Sequence, residues 1–272
     1  MKVYREMDIA TAKPSADRRS EVRYHLVDIV GPDVDFSIGD YLPLLEHALK
    51  DVASRGKLAV ITGGTALYLK GYLDGFQAGP AADWGFRKKL LEEAKDVGPE
   101  RLHERLRALD AEASRKIHPR DLRRIVRALE VVEKTGRPLS ADWEWGRRPR
   151  GSSALKVFAL EWDRAELHER IDRRVDLMLE RGLVQESLRL RDRQPPLSRS
   201  AAQSIGYKEV CQGVLLGRSR EEIALQVKTS TRQLAKRQLT WLRKLPVEWV
   251  VVRAMARASE VAKEILKRLG AG

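Results

Sequence analysis

The sequence predicts an α/β protein in which a parallel sheet carries a helical insertion. Three observations support this fold class. Apolar, β-prone runs alternate with helical stretches over the first 80 residues, charge-rich helical periodicity fills residues 86–136, and β-branched runs return at 155–162 and 247–252. Strands that alternate with helices along a chain form parallel sheets with helices on their faces.

The first 80 residues contain two predicted strands and two predicted helices. YHLVDIV (24–30) is a short β-rich run that ends at a Gly-Pro pair. Residues 38–56 have apolar side chains at helical spacing and a glycine stop at Gly56. Residues 57–75 then predict a buried strand, a turn at Gly63-Gly64-Thr65 and a second helix.

The insertion is expected between two composition changes. Pro80 to Asp83 marks the first, and the basic loop GRRPRGSS (146–153) marks the second. We therefore expect an α/β core in residues 1–80 and 151–272 and a helical domain in residues 81–150. The second core segment reads as a strand, a helical region broken at 193–200, a final strand and an amphipathic helix at 258–269.

Composition restricts the classes of function. No apolar run approaches the ~20 residues that a membrane-spanning helix needs. A single cysteine, Cys211, excludes an internal disulfide and a multi-cysteine metal site, which suits the cytoplasm. The formal net charge of +13 arises from 52 Lys+Arg against 39 Asp+Glu. Such a surplus favours a polyanionic partner if the charges cluster, and otherwise serves solubility.

Two short patterns are candidates for binding phosphate groups. Gly63-Gly64-Thr65 lies where a predicted strand turns into a helix, so its backbone can approach an anion; the alternative, favoured by this tripeptide alone, is an ordinary tight turn. Arg170 and Arg174 are four residues apart and share a helix face. Two guanidinium groups at that spacing can bind a diphosphate; the alternative is a solvated face that pairs with Glu166 and Asp172.

Two predicted helices are strongly cationic. DLRRIVRALEVV carries Arg123, Arg124 and Arg127 opposite an apolar stripe, and TRQLAKRQLTWLRK (231–244) repeats the design with Trp241 among the cations. Two such helices in one chain favour a nucleic-acid surface. The sequence contains no G-x-x-x-x-G-K-[ST] loop, no H-E-x-x-H motif and no cysteine–histidine cluster.

Together these stretches resemble the tRNA dimethylallyltransferases, also called tRNA isopentenyltransferases. VYREMDIATAKP is similar to that family's V-Y-R-G-M-D-I-G-T-A-K-P, with Glu6 and Ala10 where glycine is usual. Six further stretches have family counterparts in the same order: YHLVDIV, FSIGDY, GGTALYLKGYLDG, HPRDLRRIVRALEV, SIGYKE and TRQLAKRQLTWLR. The resemblance runs almost from end to end.

The resemblance implies a P-loop-kinase-like core and a helical insertion domain that holds a tRNA anticodon arm. It implies transfer of a dimethylallyl group from dimethylallyl diphosphate to N6 of the adenosine 3′-adjacent to the anticodon. It further implies Mg²⁺ and a cytoplasmic location, and we expect a monomer. No metal ligand is expected within this sequence.

The resemblance also implies site residues. Thr65 is expected at the adenosine end of the catalytic channel, with Arg174 and Arg170 near the diphosphate. Arg87 matches a tRNA-contacting arginine, and two segments match tRNA-binding segments. These segments comprise Arg123, Arg124, Ile125, Val126 and Arg127, and Gln203, Ser204, Ile205, Gly206, Tyr207 and Lys208. Family enzymes often have arginine or cysteine at the positions of Gln203 and Ser204.

The N-terminus falls inside a family motif. Met1 and Lys2 occupy the x-[QK] of D-S-x-[QK]-V-Y, a tRNA-contacting motif whose aspartate is the proposed general base. We therefore expect the phosphate loop, the Mg²⁺ ligands and the catalytic aspartate upstream of Met1, and we expect residues 1–272 alone to be inactive and poorly stable. Two alternatives remain: an adenylate isopentenyltransferase, which needs no anticodon-arm surface, and a noncatalytic tRNA-binding remnant.

Overall fold

The computed structural model describes residues 1–76, 79–142, 155–253 and 256–270. The chain divides into two compact units. Unit 1 comprises Met1–Leu69 and Gly151–Gly272, and unit 2 comprises Lys70–Arg150. The division expected from the sequence placed the first boundary at residue 81 and remains a prediction. The basic loop predicted at 146–153 lies outside the described residues.

Within the described residues the structure is mostly helical. The helices are α1 (Ala16–Glu21), α2 (Ile38–Ser54), α3 (Ala66–Asp74), α4 (Trp84–Val97), α5 (Pro99–Leu109), α6 (Ala111–Lys116), α7 (Leu122–Thr135), α8 (Arg164–Glu180), α9 (Leu183–Arg191), α10 (Arg199–Ala202), α11 (Tyr207–Leu215), α12 (Arg220–Leu242) and α13 (Ala258–Leu269), with a short 3-10 helix at Leu139–Asp142. The strands are β1 (Phe158–Glu161) and β2 (Glu248–Val251).

The two strands form a parallel pair in unit 1. Phe158 lies opposite Glu248, and Glu161 lies opposite Val251. Both strands and the final helix, α13, were predicted from the sequence and are confirmed. A parallel pair needs a long crossover connection, and the helices α8 to α12 supply it here.

The core of unit 1 forms around the N-terminal segment. Val3, Tyr4 and Met7 are buried together with apolar residues of α8, α9, α11 and α12. On α8 the buried residues are Ile171, Val175 and Leu179, whose spacing of four places them on one helix face. The Tyr4 hydroxyl donates to Ser200 Oγ at 2.9 Å, so even the polar tip of this buried ring has a partner.

Two predicted strands do not form. Of residues 24–30 only Val30 joins a bridge, parallel to Tyr4, because Leu26 and Asp28 have positive φ angles that interrupt an extended chain. Residues 57–64 are exposed, with Leu58 at 71% and Val60 at 73%. A strand needs a neighbouring strand for its N–H and C=O groups, and among the described residues no strand pairs with this segment.

Glu6 occupies a backbone conformation that suits glycine. Its φ is +64°, a region that costs a residue with a Cβ atom about 1–2 kcal/mol. Replacing Glu6 with glycine should therefore raise the free energy of unfolding by about 0.5–1 kcal/mol, after the extra backbone entropy of glycine is subtracted. Glu6→Ala keeps the Cβ atom while removing the weak Glu6–Arg193 ion pair at 3.8 Å, and it should not stabilise. Urea denaturation of both variants tests this; equal gains would contradict the explanation.

Unit 2 is a small helical domain formed by α4 to α7. Its core contains Leu90 and Ala94 of α4, Leu102 and Leu106 of α5, Ala113, Ile117, and Ile125, Val126, Ala128 and Leu129 of α7. The buried Asp110 carboxylate caps α6 through the backbone N–H of Ala113 at 2.9 Å and accepts the backbone N–H of Ser140 at 2.8 Å. The helical character predicted for residues 86–136 is confirmed.

Candidate functional site

A buried carboxylate organises two of the predicted RNA-contacting arginines of unit 2. Glu130, on α7, has no exposed side-chain surface. Its Oε1 and Oε2 atoms accept from Nε and Nη2 of Arg87 at 2.9 and 2.8 Å, and Nη1 of Arg127 also donates to Oε2. The backbone N–H of Asp83 donates to Oε1 at 2.6 Å. The Arg87 guanidinium lies 4.7 Å from the centroid of the Trp84 ring, a cation–π contact.

These contacts keep Glu130 ionised. Burial alone raises its pKa, but hydrogen bonds from Arg87, Asp83 and Arg127 outweigh burial and hold the pKa below its usual value of 4.5. Sequence reasoning missed Glu130. The available signal was its position directly after Leu129, inside the buried arc of α7 and three residues from Arg127.

Lowering the pH should reduce the contribution of Glu130 to stability. Because the folded-state pKa lies below the unfolded value, the contribution is fully present above about pH 4.5 and is lost as the pH falls through the folded-state pKa. The stability difference between the wild type and Glu130→Gln should therefore shrink between about pH 7 and about pH 3. Urea denaturation at both pH values measures it, with Glu133→Gln on the same helix as baseline. A constant difference would contradict the assignment.

The predicted RNA segment of α7 divides between surface and core. Arg123 and Arg124 are exposed at the start of the helix, and Arg127 is partly buried beside Glu130. Ile125 and Val126 are 0% and 3% exposed and belong to the core of unit 2. Any side-chain contact with RNA from this segment therefore falls to the arginines.

The second predicted RNA segment, residues 203–208 of unit 1, is also mostly buried or partly buried. Gln203 is exposed, Ile205 and Lys208 are partly buried, and Ser204, Gly206 and Tyr207 are buried. The Tyr207 hydroxyl donates to Oε1 of Glu186 at 2.5 Å. Burial and then this hydrogen bond raise the pKa of Tyr207.

The same Glu186 oxygen joins this segment to the N-terminal segment. It accepts the backbone N–H groups of Asp8 and Ile9, each at 3.0 Å. Ser204 Oγ also lies 2.8 Å from Sδ of Met1. Met1 is half exposed and Lys2 is exposed. The structure thus brings together two segments that were predicted separately to contact tRNA.

Thr65 lies in an exposed turn at the start of α3. Its carbonyl accepts the backbone N–H groups of Tyr68 and Leu69 at 2.9 and 3.3 Å, as expected at a helix start. Nε2 of Gln238, on α12, donates to the carbonyl of Gly64 at 2.9 Å. The predicted turn is therefore held against the cationic helix α12.

A depression of about 380 Å³ lies on another part of the α12 surface. Its lining residues are Gln233, Lys236, Arg237, Thr240 and Trp241. Lys236 and Arg237 are exposed, while Trp241 is partly buried. Two cations beside an aromatic ring can bind a phosphate and stack on a base.

Arg170 and Arg174 both lie exposed on α8. The Arg170 guanidinium lies 4.1 Å from the ring centroid of Trp162, the residue that follows β1 in the sequence. Arg174 forms no ion pair with the described residues. The pairing with Asp172 that was left open does not occur, because Asp172 binds Nε of Arg232 at 3.1 Å and its Nη2 as well.

Helix α12 connects the turn and the arginine helix. Arg232 pairs with Asp172 of α8, and Lys228 pairs with Asp176 of α8 at 2.6 Å. Gln238, which holds the Gly64 carbonyl, lies six residues after Arg232, or about 9 Å along the helix. Thr65 and the helix that carries Arg170 and Arg174 are therefore positioned by one element.

Neither a metal centre nor a membrane span is found in the described part of the chain. No three His, Cys, Asp or Glu side chains among the described residues come together in a group that could hold a metal ion. None of the helices described above combines the length and the apolar character needed to cross a membrane.

Comparison with known proteins gives one consistent family. A family model described as IPP transferase matches residues 2–245. The tRNA dimethylallyltransferase 2 of Geotalea uraniireducens is 43% identical over 253 residues, which cover 92% of this chain and 81% of that protein. The tRNA dimethylallyltransferase of Desulforamulus reducens is 37% identical over 273 residues, which cover 99% of this chain and 95% of that protein.

Solved structures agree. The tRNA isopentenylpyrophosphate transferase of Bacillus halodurans superposes with a TM-score of 0.66 at 33% identity, covering 99% of this chain and 86% of that chain. A eukaryotic dimethylallyltransferase acting on tRNA superposes with a TM-score of 0.76 at 25% identity, covering 98% of this chain and 71% of that chain. These neighbours confirm the predicted α/β fold class.

Proposed function

The chain belongs to the IPP transferase family, and we propose that it modifies tRNA by dimethylallyl transfer. The donor is dimethylallyl diphosphate, and the acceptor is N6 of the adenosine on the 3′ side of the anticodon. The observation that carries this proposal is the family match over nearly the whole chain, with relatives of the same activity along four fifths or more of their own length.

The reaction is a substitution at the allylic carbon. N6 forms a bond to that carbon, the carbon–oxygen bond breaks with its electron pair leaving on the diphosphate, and the proton of N6 passes to a general base, which the family resemblance gives as an aspartate. In this proposal Arg174 and Arg170 bind the departing diphosphate, since forked guanidinium groups suit phosphate oxygens. The contact between Arg170 and Trp162 limits the orientations of that guanidinium. Thr65 orients the adenosine, whose base must leave the loop stack to react.

Mg²⁺ is implied by the family resemblance. It prefers oxygen ligands and keeps several waters. The described residues do not fit a metal centre, because they place no three potential ligands together. We therefore assign no ligand of the ion to the described residues.

The RNA partner in this proposal is the anticodon arm. Cations that can contact its phosphates lie on both units: Arg123 and Arg124 of α7, and Lys236, Arg237, Arg243 and Lys244 at the end of α12. The net charge of +13 also attracts a polyanion such as RNA at long range. We propose that the protein acts as a monomer in the cytoplasm.

The two alternatives differ from this proposal in what they bind. An adenylate isopentenyltransferase would prefer a free nucleotide over a stem-loop. A noncatalytic remnant would bind the stem-loop without prenylating it.

The test measures RNA binding and prenyl transfer separately. One substrate is an anticodon stem-loop with adenosine 3′ of the anticodon, and its control has guanosine there, which lacks the N6 amine. We expect both to bind, and we expect label from dimethylallyl diphosphate to enter only the adenosine stem-loop when the protein is assayed at its full encoded length. Failure to bind either stem-loop would refute the function. The expectation that residues 1–272 do not turn over alone stays a prediction.

A further inference from the structure

We propose that Glu130 is a positioning residue for RNA recognition: its buried carboxylate holds Arg87 and Arg127 in the orientation in which they contact the anticodon arm. This inference rests on the proposed function. It differs from the predicted contacts, because Glu130 itself is fully buried and cannot touch RNA.

The geometry fixes the two arginines while leaving donors for a ligand. Arg87 uses Nε and Nη2 on Glu130, and Arg127 uses Nη1. An arginine has five N–H donors. Nη1 of Arg87 and Nε and Nη2 of Arg127 are therefore not used on Glu130 and can reach phosphate oxygens. The Arg87 side chain is 22% exposed and that of Arg127 is 32% exposed. Each guanidinium therefore reaches the surface while it stays hydrogen-bonded to Glu130.

The surroundings leave the carboxylate little freedom. The backbone N–H of Asp83 binds one oxygen, and neighbouring side chains of α7 form the core of unit 2. Trp84 lies under the Arg87 guanidinium. A Cβ atom at Gly79 would come within 2.9 Å of Nη2 of Arg127. Both guanidinium groups are thus oriented before any ligand binds, which reduces the entropy cost of binding.

A purely electrostatic view predicts the opposite effect of removing the charge. Two arginines and one glutamate leave a local charge of +1. Neutralising the glutamate raises that charge and should strengthen binding to a polyanion. If Glu130 acts by positioning, its neutralisation weakens binding instead. The sign of the change therefore distinguishes the two.

The main experiment compares two variants with the same charge change. Glu130→Gln removes the buried carboxylate, and Glu133→Gln removes an exposed one on the same helix. We expect Glu130→Gln to bind the anticodon stem-loop about tenfold more weakly, the effect of removing one charge-assisted hydrogen bond. The slope of log Kd against log salt should fall by about 0.7–0.9 for each phosphate that the variant no longer binds. A lower folded fraction alone does not change that slope. Glu133→Gln should bind as the wild type does or slightly more tightly.

A second comparison tests whether Glu130 acts through the arginines. In a protein that already carries Arg87→Gln and Arg127→Gln, adding Glu130→Gln should leave the affinity unchanged. If Glu130→Gln does not fold on its own, Glu130→Asp, which keeps the charge but withdraws it by one methylene, should give a smaller loss of affinity with a change of slope in the same direction.

Three results would overturn the proposal. The first is unchanged or tighter binding by the folded Glu130 variants, and the second is a loss of affinity that persists without the two arginines. In both cases wild-type binding still supports the proposed function. The third is a wild-type protein that binds no stem-loop, which overturns the function as well.

Discussion

Gly206→Ala should lower the free energy of unfolding by about 2–5 kcal/mol. Gly206 has a φ of +98°, which costs a residue with a Cβ atom about 1–2 kcal/mol. The added Cβ would also lie 2.9 Å from the Cβ of Ala10, and overpacking of this kind costs about 1–3 kcal/mol. Ala10 and Gly206 cannot easily move apart, because the residues next to them, Ile9 and Tyr207, both donate a hydrogen bond to the same Glu186 oxygen. Urea denaturation measures the decrease.

Gly217 provides a matched control. Its φ is +63°, but no atom lies within 4 Å of an added Cβ, so Gly217→Ala should cost only the backbone strain. Ala10→Gly removes the other side of the contact and should recover part of the stability of Gly206→Ala. Equal decreases at the two glycines, with no recovery from Ala10→Gly, would show that the approach to Ala10 does not contribute.

Replacing Arg123 and Arg124 together with glutamine should weaken stem-loop binding at least tenfold at moderate salt. Both side chains are exposed at the start of α7, and unlike Arg127 neither is held by Glu130. The slope of log Kd against log salt should fall by about 0.7–0.9 for each phosphate that is left without its arginine. Fluorescence anisotropy with a labelled anticodon stem-loop, over a series of salt concentrations, measures both quantities.

The matched control removes the same charge elsewhere on unit 2. Lys88 and Lys95 belong to α4, and Lys95 is exposed, so their double replacement with glutamine changes the net charge equally. We expect it to lower the affinity by less than threefold and to leave the slope unchanged. Equal effects of the two double variants would mean that only net charge matters, and would contradict a specific surface at Arg123 and Arg124.

The helices were predictable because their signals are local. α7 shows its apolar stripe, its Asp121 cap and its Gly136 stop within 16 residues, and the structure has each of them. α13 was predicted for the same reason. The strand expected at 57–64 does not form, because its formation depends on a neighbour that its own sequence does not specify.

The candidate site was predictable as segments but not as contacts. The cationic faces follow from helical spacing, which is why Arg123 and Arg124 are exposed as expected. Sequence reasoning missed Glu130 and Glu186 because each binds a partner far along the chain. Arg87 lies 43 residues from Glu130, and Asp8 lies 178 residues from Glu186. A charged residue in a helix is usually solvated, and only the packed structure shows that these two are not.

The exposed run at residues 57–64 has a consequence for handling the protein. Among the described residues no backbone carbonyl accepts the N–H groups of Leu58 to Gly64, so these amides should exchange with deuterium almost as fast as in an unfolded peptide. The run is rich in branched side chains, uncharged from Leu58 to Thr65 and without proline. Such segments pair with copies of themselves into cross-β stacks. Concentrated solutions should therefore lose protein to fibrils that begin at this run. Val60→Lys should slow that aggregation without disturbing the core of unit 1 or of unit 2, because Val60 is exposed.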